Sequence, residues 1–312
     1  MIPGISHVGL IHYQRELYKF FQTHPEYKVV HSHQNELSGM ILKQAKRAGV
    51  LARFAHAHIV FTPKNIFNEF EWWFFQRFFP NNVTRAFACS IEAGKSLYIG
   101  KLKEKIEFIP NVIDTNQIQY NQAKRQRIRR ELHIENEFVV GHVGRFAQQK
   151  NHSFLIDIFA EIIKINKDAK LILIGNGSLK DKVLEKTKKK GIDDHVLFLG
   201  NRSDVPDCLS AMDIFLFPSL YEGLSVACVE AQAAGLPVLT STSVSDEIAI
   251  TELVTQFPLS ENARKWAEQA LQMGLYTKID RAMYAEKVKV AGFDAKVLAK
   301  KMQNIYLRAY DD

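Results

Sequence analysis

Residues 196–241 read VLFLGNRSDVPDCLSAMDIFLFPSLYEGLSVACVEAQAAGLPVLTS. The β-branched or aromatic runs VLFLG, DIFLFPS and LPVLTS alternate here with segments of helical pattern. Continuous apolar strands that alternate with helices are typical of a parallel sheet covered on both faces. Two upstream runs, FVVGHVG (138–144) and KLILIG (170–175), extend the alternation, with helical patterns at 151–166 and 178–191. We therefore predict a doubly wound α/β unit that binds ligands beyond the carboxyl ends of its strands.

At 312 residues the chain exceeds the usual size of one domain, so we predict two. We expect a first domain over residues 1–112, a second over 113–292, and a last amphipathic helix within 293–312 that is long enough to reach another surface. The first part holds fewer strand patterns; we predict strands at 27–33, 50–58, 86–90 and 105–110, and a linker at 110–117.

The composition is that of a soluble globular protein, with 46% hydrophobic and 24% charged residues. Its three scattered cysteines, Cys89, Cys208 and Cys228, suggest reduced thiols in a cytosolic protein. Residues 1–112 hold 14 Lys and Arg against 8 Asp and Glu, a charge of +6, whereas the other 200 residues hold 27 against 26. Such a basic half can attract nucleic acid, anionic lipid or phosphorylated substrates, or it can be an ordinary solvated surface.

One carboxylate stands out in the predicted helix that begins at Ser225 and ends at Gly235. Glu230 is surrounded there by alanine, valine and cysteine, and a buried carboxylate needs either a protein donor or a ligand with hydroxyl groups. The helix start would offer free backbone N–H groups to a phosphate, and Glu222 lies just before it. We expect the phosphate to meet Gly223, Leu224, Ser225 and Val226.

A second cluster, GRFAQQKNH (144–152), directly follows a predicted strand. Gly144 allows close backbone approach, and Arg145 and Lys150 are two cations suited to a diphosphate, although a surface salt bridge is an equal alternative. The loop GNGSL (175–179) lacks the third glycine of a dinucleotide fingerprint, which argues against a dehydrogenase. No closely spaced aspartate pair follows a strand, which argues against a metal-held diphosphate.

The segments GRFAQQKNHSFLIDIF (144–159) and IPNVID (109–114), with residues 196–241, resemble retaining glycosyltransferases of the group 1 family (family 4), especially bacterial enzymes of exopolysaccharide or capsule assembly. The resemblance covers essentially the whole chain. It implies the GT-B fold of the α/β class, with two facing Rossmann-like doubly wound domains, the N-terminal one incomplete. Residues 1–112 would be the acceptor side, 113–292 would bind the nucleotide sugar, and 293–312 would cross back to the N-terminal domain.

The resemblance also implies roles for single residues. Arg145 and Lys150 would grip the donor diphosphate, Glu222 the hydroxyls of the transferred sugar, and Glu230 the ribose. A histidine of the cleft would be His56 or His58, which strand alternation places on one face. The remaining donor contacts would come from Gly144, from the backbone near Asn201 and Arg202, and from the amides of residues 223–226.

The implied reaction moves a hexosyl group from a nucleoside-diphosphate sugar to a glycan or lipid-linked saccharide. In the retaining scheme the acceptor attacks from the face of the leaving group, a donor phosphate oxygen helps to take its proton, and no protein nucleophile is needed. Fixed cations and amides stabilise the leaving group in place of a metal, so we expect no metal and no cofactor. We also expect no nucleic-acid partner, and a cytoplasmic protein with peripheral contact to the inner face of the membrane.

One departure leaves an alternative open. Family members begin with a strand, a glycine-rich loop and further strand–helix units before the region that matches YKVVHSH (27–33). The chain would then have a wrongly assigned start, be truncated, or need another polypeptide. The alternative function is a remnant that binds nucleotide sugar without transfer; a sugar-nucleotide epimerase of similar fold explains less of the match.

Two further patterns each allow two interpretations, one purely structural and one functional. His31, His33, His56 and His58 end neighbouring predicted strands, where ordinary hydrogen-bonded histidines are favoured over a zinc site. The segment NIFNEFEWWFFQRFF (65–79) carries aromatic residues at helical spacing. Buried core is the favoured interpretation for them, and an interfacial helix that meets membrane or a lipid-linked acceptor is the alternative. They are Phe67, Phe70, Phe74 and Phe78, with Trp73 alongside.

Overall fold

The computed structural model describes residues 5–60, 66–276 and 280–311. The chain divides into two compact units. The first comprises Met1–Asn111 and Leu298–Asp312, and the second comprises Val112–Val297. The chain thus leaves the first unit once and returns to it through its last helix.

The first unit contains a four-stranded sheet in the order β1-β2-β3-β4, and all its strand pairs are parallel. Each strand lies within one of the four segments predicted from the sequence or starts one residue before it. The strands are β1 Val29–Ser32, β2 Ala52–Ala57, β3 Arg85–Ala88 and β4 Ile106–Phe108. The helices are α1 Ile5–Thr23, α2 Ser38–Arg47, α3 Ile66–Gln76, α4 Ile91–Leu97 and, at the end of the chain, α13 Ala295–Asp311.

Alternation along β2 separates the two cores of this unit. Ala55 and Ala57 face a cluster that includes Leu42 of α2 and Leu97 of α4. On the opposite face, Phe54 packs with aromatic and aliphatic residues that include Ile305 of α13. Both faces of the sheet are therefore covered by helices, as a parallel sheet requires.

The second unit contains a six-stranded parallel sheet in the order β10-β9-β8-β5-β6-β7. The chain runs outward from β5 through β6 to β7, then returns to the other side of β5 and continues through β8 to β10. The carboxyl ends of β5 and β8 thus form the topological switch point, where ligands of such sheets bind. The strands are β5 Val139–Val143, β6 Lys170–Ile174, β7 Val196–Gly200, β8 Ile214–Phe217, β9 Val238–Ser241 and β10 Val254–Phe257.

Helices cover both faces of the second sheet. One apolar cluster joins the sheet to residues such as Leu155, Val183 and Trp266, and the other joins it to residues such as Leu209 and Val229. The helices are α5 Thr115–Ile118, α6 Gln122–Glu131, α7 His152–Ile165, α8 Lys180–Lys189, α9 Val205–Ala211, α10 Val226–Ala233, α11 Ala263–Tyr276 and α12 Tyr284–Val288.

The five strands predicted for this unit and its helices over 151–166 and 178–191 are confirmed. No prediction was made for β10, α1 or α11. In residues 5–60, 66–276 and 280–311, no helix combines the length and the apolar character needed to cross a bilayer.

Candidate functional site

The switch point of the second sheet brings glycine-rich backbone close together. The amide of Gly144, directly after β5, donates to the carbonyl of Ile174 over 2.9 Å. Gly175 has φ +135°, and a Cβ atom there would lie 2.2 Å from the Gly144 carbonyl oxygen. A side chain at position 175 would therefore push the two loops apart, which explains why the first residue of the GNGSL segment is glycine.

Lys150 and Glu222 form an ion pair at this edge. The Lys150 Nζ atom lies 2.5 Å from Glu222 Oε1, and the two side chains are only 17% and 12% exposed. The ammonium group also lies 4.6 Å from the centre of the Phe217 ring. The structure thus brings together a cation and a carboxylate that are 72 residues apart in sequence, one after β5 and the other after β8.

Residues that the sequence analysis did not single out hold this pair in place. The Leu220 amide donates to the Gln149 carbonyl over 2.8 Å, and the Gln149 side-chain amide donates to the Tyr221 carbonyl over 3.0 Å. The Asn151 side-chain amide donates to the Pro218 carbonyl over 3.1 Å, and Asn151 itself has φ +53°. Asparagine tolerates this left-handed conformation better than most residues. The asparagine at position 151 was therefore the only sign of these contacts in the sequence.

Arg145 supplies a second cation after β5. Its side chain is exposed, and in the described residues its guanidinium group has no ion-pair or hydrogen-bond partner. A fork of five N–H donors therefore remains open to a ligand.

The helix predicted from Ser225 is confirmed as α10, with Ser225 as its N-cap. Ser225 makes no side-chain capping bond. Within the described chain, the backbone N–H groups of Gly223, Leu224 and Ser225 donate no hydrogen bond. Open amides in front of a helix form a site for an anion, because the amides and the helix dipole both favour negative charge. The helix ends at Ala233, and Gly235, just after the C-cap residue Ala234, has a φ of +65° that suits a glycine.

Glu230 lies on α10, partly buried, and burial raises the pKa of its carboxyl group above the usual value. Among the described residues no donor hydrogen-bonds to this carboxylate. The protein donor offered as one alternative in the sequence analysis is therefore not found there. A partly buried carboxylate without a donor can accept hydrogen bonds from a ligand.

The buried thiol of Cys228 lies near the charged side chains Lys150, Glu222 and Glu230. Burial raises the pKa of the Cys228 thiol; a hydrogen bond with Ser225 and the positive charge of Lys150 oppose this rise, and the negative charges of Glu222 and Glu230 add to it. Such effects fade with distance, so Lys150, Glu222 and Glu230 are all close enough to the buried thiol for their charges to act on it.

The structure places Asn201 and Arg202 directly after β7. The Arg202 guanidinium donates to Asp204 over 2.7 Å and to Glu131 over 3.0 Å, so its side chain is already hydrogen-bonded to two carboxylates of the protein. The carbonyl of Gly200, the last residue of β7, accepts a 2.8 Å hydrogen bond from Gly175. What this segment can offer a ligand is therefore its backbone and the exposed Asn201.

Two buried histidines underlie the loop of Lys150. His142 Nδ1 lies 2.8 Å from the Leu216 carbonyl oxygen, while His142 Nε2 and both ring nitrogens of His152 have no partner. Burial lowers the pKa of His142 far below its usual value and lowers that of His152 to about 4, and the positive charge of Lys150 adds to both shifts. Both rings are therefore neutral at pH 7 and leave the positive charge of the loop to Lys150 and Arg145.

His56 and His58 belong to the first unit. His56 is 4% exposed and its Nε2 lies 3.1 Å from the Ile109 carbonyl oxygen, whereas His58 is half-buried, with Nε2 2.8 Å from His33 Nδ1. The rings of His56 and His58 stack with centroids 4.2 Å apart. Burial lowers the pKa of His56 to about 3 and also lowers that of His58. His58 is thus the more accessible of the two predicted cleft histidines.

The aromatic helix α3 differs from the favoured expectation of a buried core. Its buried side consists of Trp72 and Phe75, whereas Phe67 is 80% exposed and Phe70 64% exposed. The core interpretation was wrong for these two and for Trp73 and Phe74, because the segment is apolar on more than one side and spacing alone could not tell which side faces solvent. Trp73 and Phe74 are 49% and 38% exposed, and Phe78 is half-buried.

Comparison with known proteins identifies the family of this chain. Residues 124–287 match the family model "Glycosyl transferases group 1". The chain is 30% identical to Bacillus subtilis (strain 168) EpsF, a protein named as a glycosyltransferase, over 98% of this chain and 81% of EpsF. The chain belongs to the group 1 glycosyltransferases.

Two other similarities are consistent with this membership. The chain is 29% identical, over 72% of its length and 60% of the relative, to the Escherichia coli UDP-Gal:alpha-D-GlcNAc-diphosphoundecaprenol alpha-1,3-galactosyltransferase. Its fold matches that of Anabaena HepE in complex with UDP, with a TM-score of 0.79 and 20% identity over 94% of this chain and 82% of HepE. The α/β fold with two parallel sheets is therefore the GT-B fold predicted from the sequence.

Proposed function

We propose that this group 1 glycosyltransferase transfers a hexosyl group, with retention of anomeric configuration, from a nucleoside-diphosphate sugar to a growing lipid-linked glycan of exopolysaccharide or capsule type. The observation that carries the proposal is the edge formed by the ends of β5 and β8. It combines the cations Arg145 and Lys150 with open amides before α10 and with Glu230, a carboxylate without a protein donor.

Each part of this edge suits one part of the donor. A diphosphate is met by the Arg145 fork, the Lys150 ammonium and the amides of residues 223–226. Glu230 accepts hydrogen bonds from the ribose hydroxyls and Glu222 from the sugar. Gly144 allows the phosphates to approach the backbone, and the segment at Asn201 and Arg202 meets the base through its backbone.

Binding of the donor breaks the ion pair between Lys150 and Glu222 in this proposal. Without ligand, each side chain neutralises the other at an edge with little solvent access. A donor phosphate takes the place of Glu222 beside Lys150, and the freed carboxylate turns to the sugar hydroxyls. As the glycosidic bond breaks, negative charge grows on the nucleoside diphosphate, and the fixed cations and amides stabilise it without a metal at the diphosphate.

Retention is proposed with the donor's own phosphate oxygen as the group that helps to take the acceptor proton. The acceptor side is assigned to the first unit, with His58 or His56 as its cleft histidine. A lipid-linked acceptor is supported by the name of the E. coli relative, which specifies a diphosphoundecaprenol-linked GlcNAc.

Peripheral contact with an anionic membrane surface is supported by α3. Phe67, Phe70 and Trp73 are exposed on it, and the Arg77 guanidinium lies 3.6 Å from the centre of the Trp73 ring. The helix itself carries Glu69 and Glu71 and no Lys or Arg, so the attraction to anionic lipid is assigned to Arg77 and to the excess positive charge of residues 1–112. We place the protein at the cytoplasmic face of the membrane on this basis.

Donor binding and transfer are tested separately. A saturation-transfer NMR screen of common sugar nucleotides on the full chain identifies the donor, and we expect UDP-hexoses among the binders because HepE was crystallised with UDP. The best binder is then offered with an undecaprenyl-diphosphate-linked saccharide, and we expect a product with retained configuration. Binding without transfer would favour the remnant, and no binding of any nucleotide sugar would contradict the proposal itself.

A further inference from the structure

Four histidines gather at the carboxyl ends of β1 and β2. The strands pair in register His31 with Phe54 and Ser32 with Ala55, so the next step places His33 opposite His56 on the same face. The ring centroids of His31 and His33 are 4.2 Å apart, those of His33 and His56 5.1 Å, and those of His31 and His56 5.5 Å. Three imidazoles thus lie close together, and His58 extends the stack from His56.

The hydrogen bonds of these rings account for only some of their nitrogens. His31 Nδ1 lies 2.6 Å from the Tyr306 hydroxyl, and His56 Nε2 lies 3.1 Å from the Ile109 carbonyl oxygen. The remaining nitrogens, His31 Nε2 and His56 Nδ1, are buried and have no partner. Because a carbonyl oxygen only accepts, His56 carries its proton on Nε2 and presents a bare lone pair at Nδ1.

His31 can donate a proton from Nδ1 to the Tyr306 hydroxyl oxygen, and in that tautomer its Nε2 is a second bare acceptor. A buried polar atom without a partner is unfavourable, so two such nitrogens in one cluster call for a shared partner. The group that fits is a cation that accepts electron pairs from neutral imidazole. This is the ordinary ligand state of histidine in metal sites.

The spacing and the supporting bonds are those of a metal site. One ligand nitrogen from each of His31, His33 and His56 can be chosen so that the three lie within 4.8 Å of one another. Tetrahedral zinc with Zn–N bonds of about 2.0–2.1 Å needs nitrogens about 3.3 Å apart, so the side chains would have to rotate toward one another on binding. Metal-binding histidines use the other ring nitrogen to bond a carbonyl or similar group, as His56 does with Ile109.

We propose that His31, His33 and His56 form a three-histidine site for a divalent transition metal, Zn²⁺ in the first instance, with a fourth position open to water or to a hydroxyl oxygen of a bound saccharide. His58 supports His33 through the 2.8 Å contact between their rings. An all-imidazole donor set suits Zn²⁺, Ni²⁺ and Cu²⁺ and disfavours Mg²⁺ and Ca²⁺, which prefer oxygen. The residue pattern favoured ordinary hydrogen-bonded histidines; the two unpaired nitrogens reverse that preference.

The site is tested by zinc titration of the full chain, purified without a polyhistidine tag and treated with a chelator. We expect one equivalent of Zn²⁺ to bind, and His33→Gln to weaken binding at least tenfold. His33 is exposed, so this variant should fold normally, which its melting temperature checks. The matched control is His24→Gln, a histidine of the same unit that contacts only local side chains, and it should leave zinc affinity unchanged.

Co²⁺ gives a second readout of the same site. Bound in place of Zn²⁺, it should show the visible absorption of a tetrahedral complex in the wild type and in His24→Gln, and lose it in His33→Gln and His31→Gln. Zn²⁺ should also raise the melting temperature of the wild type and of His24→Gln only, since a ligand stabilises the state that binds it. Equal zinc affinity in wild type, His33→Gln and His31→Gln, or no stoichiometric binding by the wild type, would overturn the assignment.

Discussion

The two units place different chemistry at the same kind of sheet edge. In the second unit, the ends of β5 and β8 carry a lysine–glutamate pair, a free arginine and open amides. In the first unit, the ends of β1 and β2 carry four histidines, of which His31 and His56 are neutral at pH 7. The sheet edge of the second unit therefore suits a polyanion, and the sheet edge of the first unit suits a ligand that accepts electron pairs.

In both units, the parallel sheet provides only the position of a site. Carboxyl ends of adjacent strands bring residues together from distant parts of the chain, whichever side chains stand there. What binds is decided by charge and by which polar atoms are left without a partner. Variants that disturb one edge and leave the other intact therefore test the two sites separately.

The largest effect is expected for Lys150→Ala. It removes a cation from the proposed diphosphate site and leaves Glu222 without its partner, which adds repulsion toward the donor. We expect kcat/KM to fall by about 100-fold or more, with donor affinity falling as well. Steady-state kinetics and calorimetry with the donor measure both quantities.

The control for this variant is Lys164→Ala, an exposed lysine on α7 that pairs only with Glu161. Zinc binding at the histidine edge should be the same in Lys150→Ala as in the wild type. Wild-type donor affinity in Lys150→Ala would remove this lysine from the proposed site.

A second test concerns the exposed aromatic face of α3. The double variant Phe67→Glu, Phe70→Glu should bind vesicles that contain anionic lipid at least tenfold more weakly, because each buried phenylalanine contributes about 1.5–3 kcal/mol. Co-sedimentation measures this loss, and calorimetry should show unchanged nucleotide binding by the second unit.

Ile11→Glu is the matched control, since Ile11 is 70% exposed on α1 of the same unit. Its vesicle affinity should stay within a few-fold of the wild type. If both variants sediment like the wild type, α3 does not meet the membrane.

Glu230→Gln is expected to separate stability from binding. Burial raises the pKa of Glu230 above its usual 4.5, so the folded protein holds this proton more tightly than the unfolded chain does. The charged form therefore costs stability at pH values above the raised pKa, and the cost vanishes as the pH falls below 4.5. We expect a higher melting temperature for the variant at pH 7.5 and equal values at pH 4.

The same variant should bind the donor about tenfold more weakly at pH 7.5, because an amide replaces the charge-assisted bonds to the ribose. Glu135→Gln, which changes an exposed glutamate of the same unit, should alter neither quantity. A Glu230→Gln protein with full donor affinity would mean that another group binds the ribose.

The smallest effect is expected for Tyr306→Phe on α13. It removes the hydroxyl group that contacts His31 Nδ1 over 2.6 Å, and we expect a loss of about 1 kcal/mol in the free energy of unfolding. Tyr310→Phe on the same helix is the control, since Tyr310 is 61% exposed. Denaturant unfolding of both variants provides the comparison; equal stabilities would show that the His31 contact adds nothing to the fold.

Much of the second unit could be predicted because its strands are short continuous apolar runs bounded by glycine and proline. The helix of Glu230 was predictable for a similar reason, since small apolar residues run from Val226 to Gly235. The ion pair between Lys150 and Glu222 was not predicted as a contact. Sequence places each residue after its own strand, and only the order of strands in the sheet makes β5 and β8 neighbours.

Other features escaped prediction for different physical reasons. The strand β10 has a mixed polar sequence, VTQF, and lies at the edge of its sheet, so neither alternation nor an apolar run marks it. The exposed side of α3 depends on which residues find a neighbouring element, which spacing does not reveal. The unpaired nitrogens of His31 and His56 depend on the positions of Tyr306 and Ile109, far away in sequence.

The Lys150–Glu222 ion pair has a consequence for the end of a turnover. If the donor binds as proposed, a nucleoside diphosphate that has lost its sugar would leave the Glu222 carboxylate free to compete with the spent phosphate for the ammonium group. This competition would speed product release and favour the intact donor over its own product. Glu222→Gln should slow the departure of the nucleotide, which stopped-flow displacement measures; an unchanged rate would mean that the pair has no part in release.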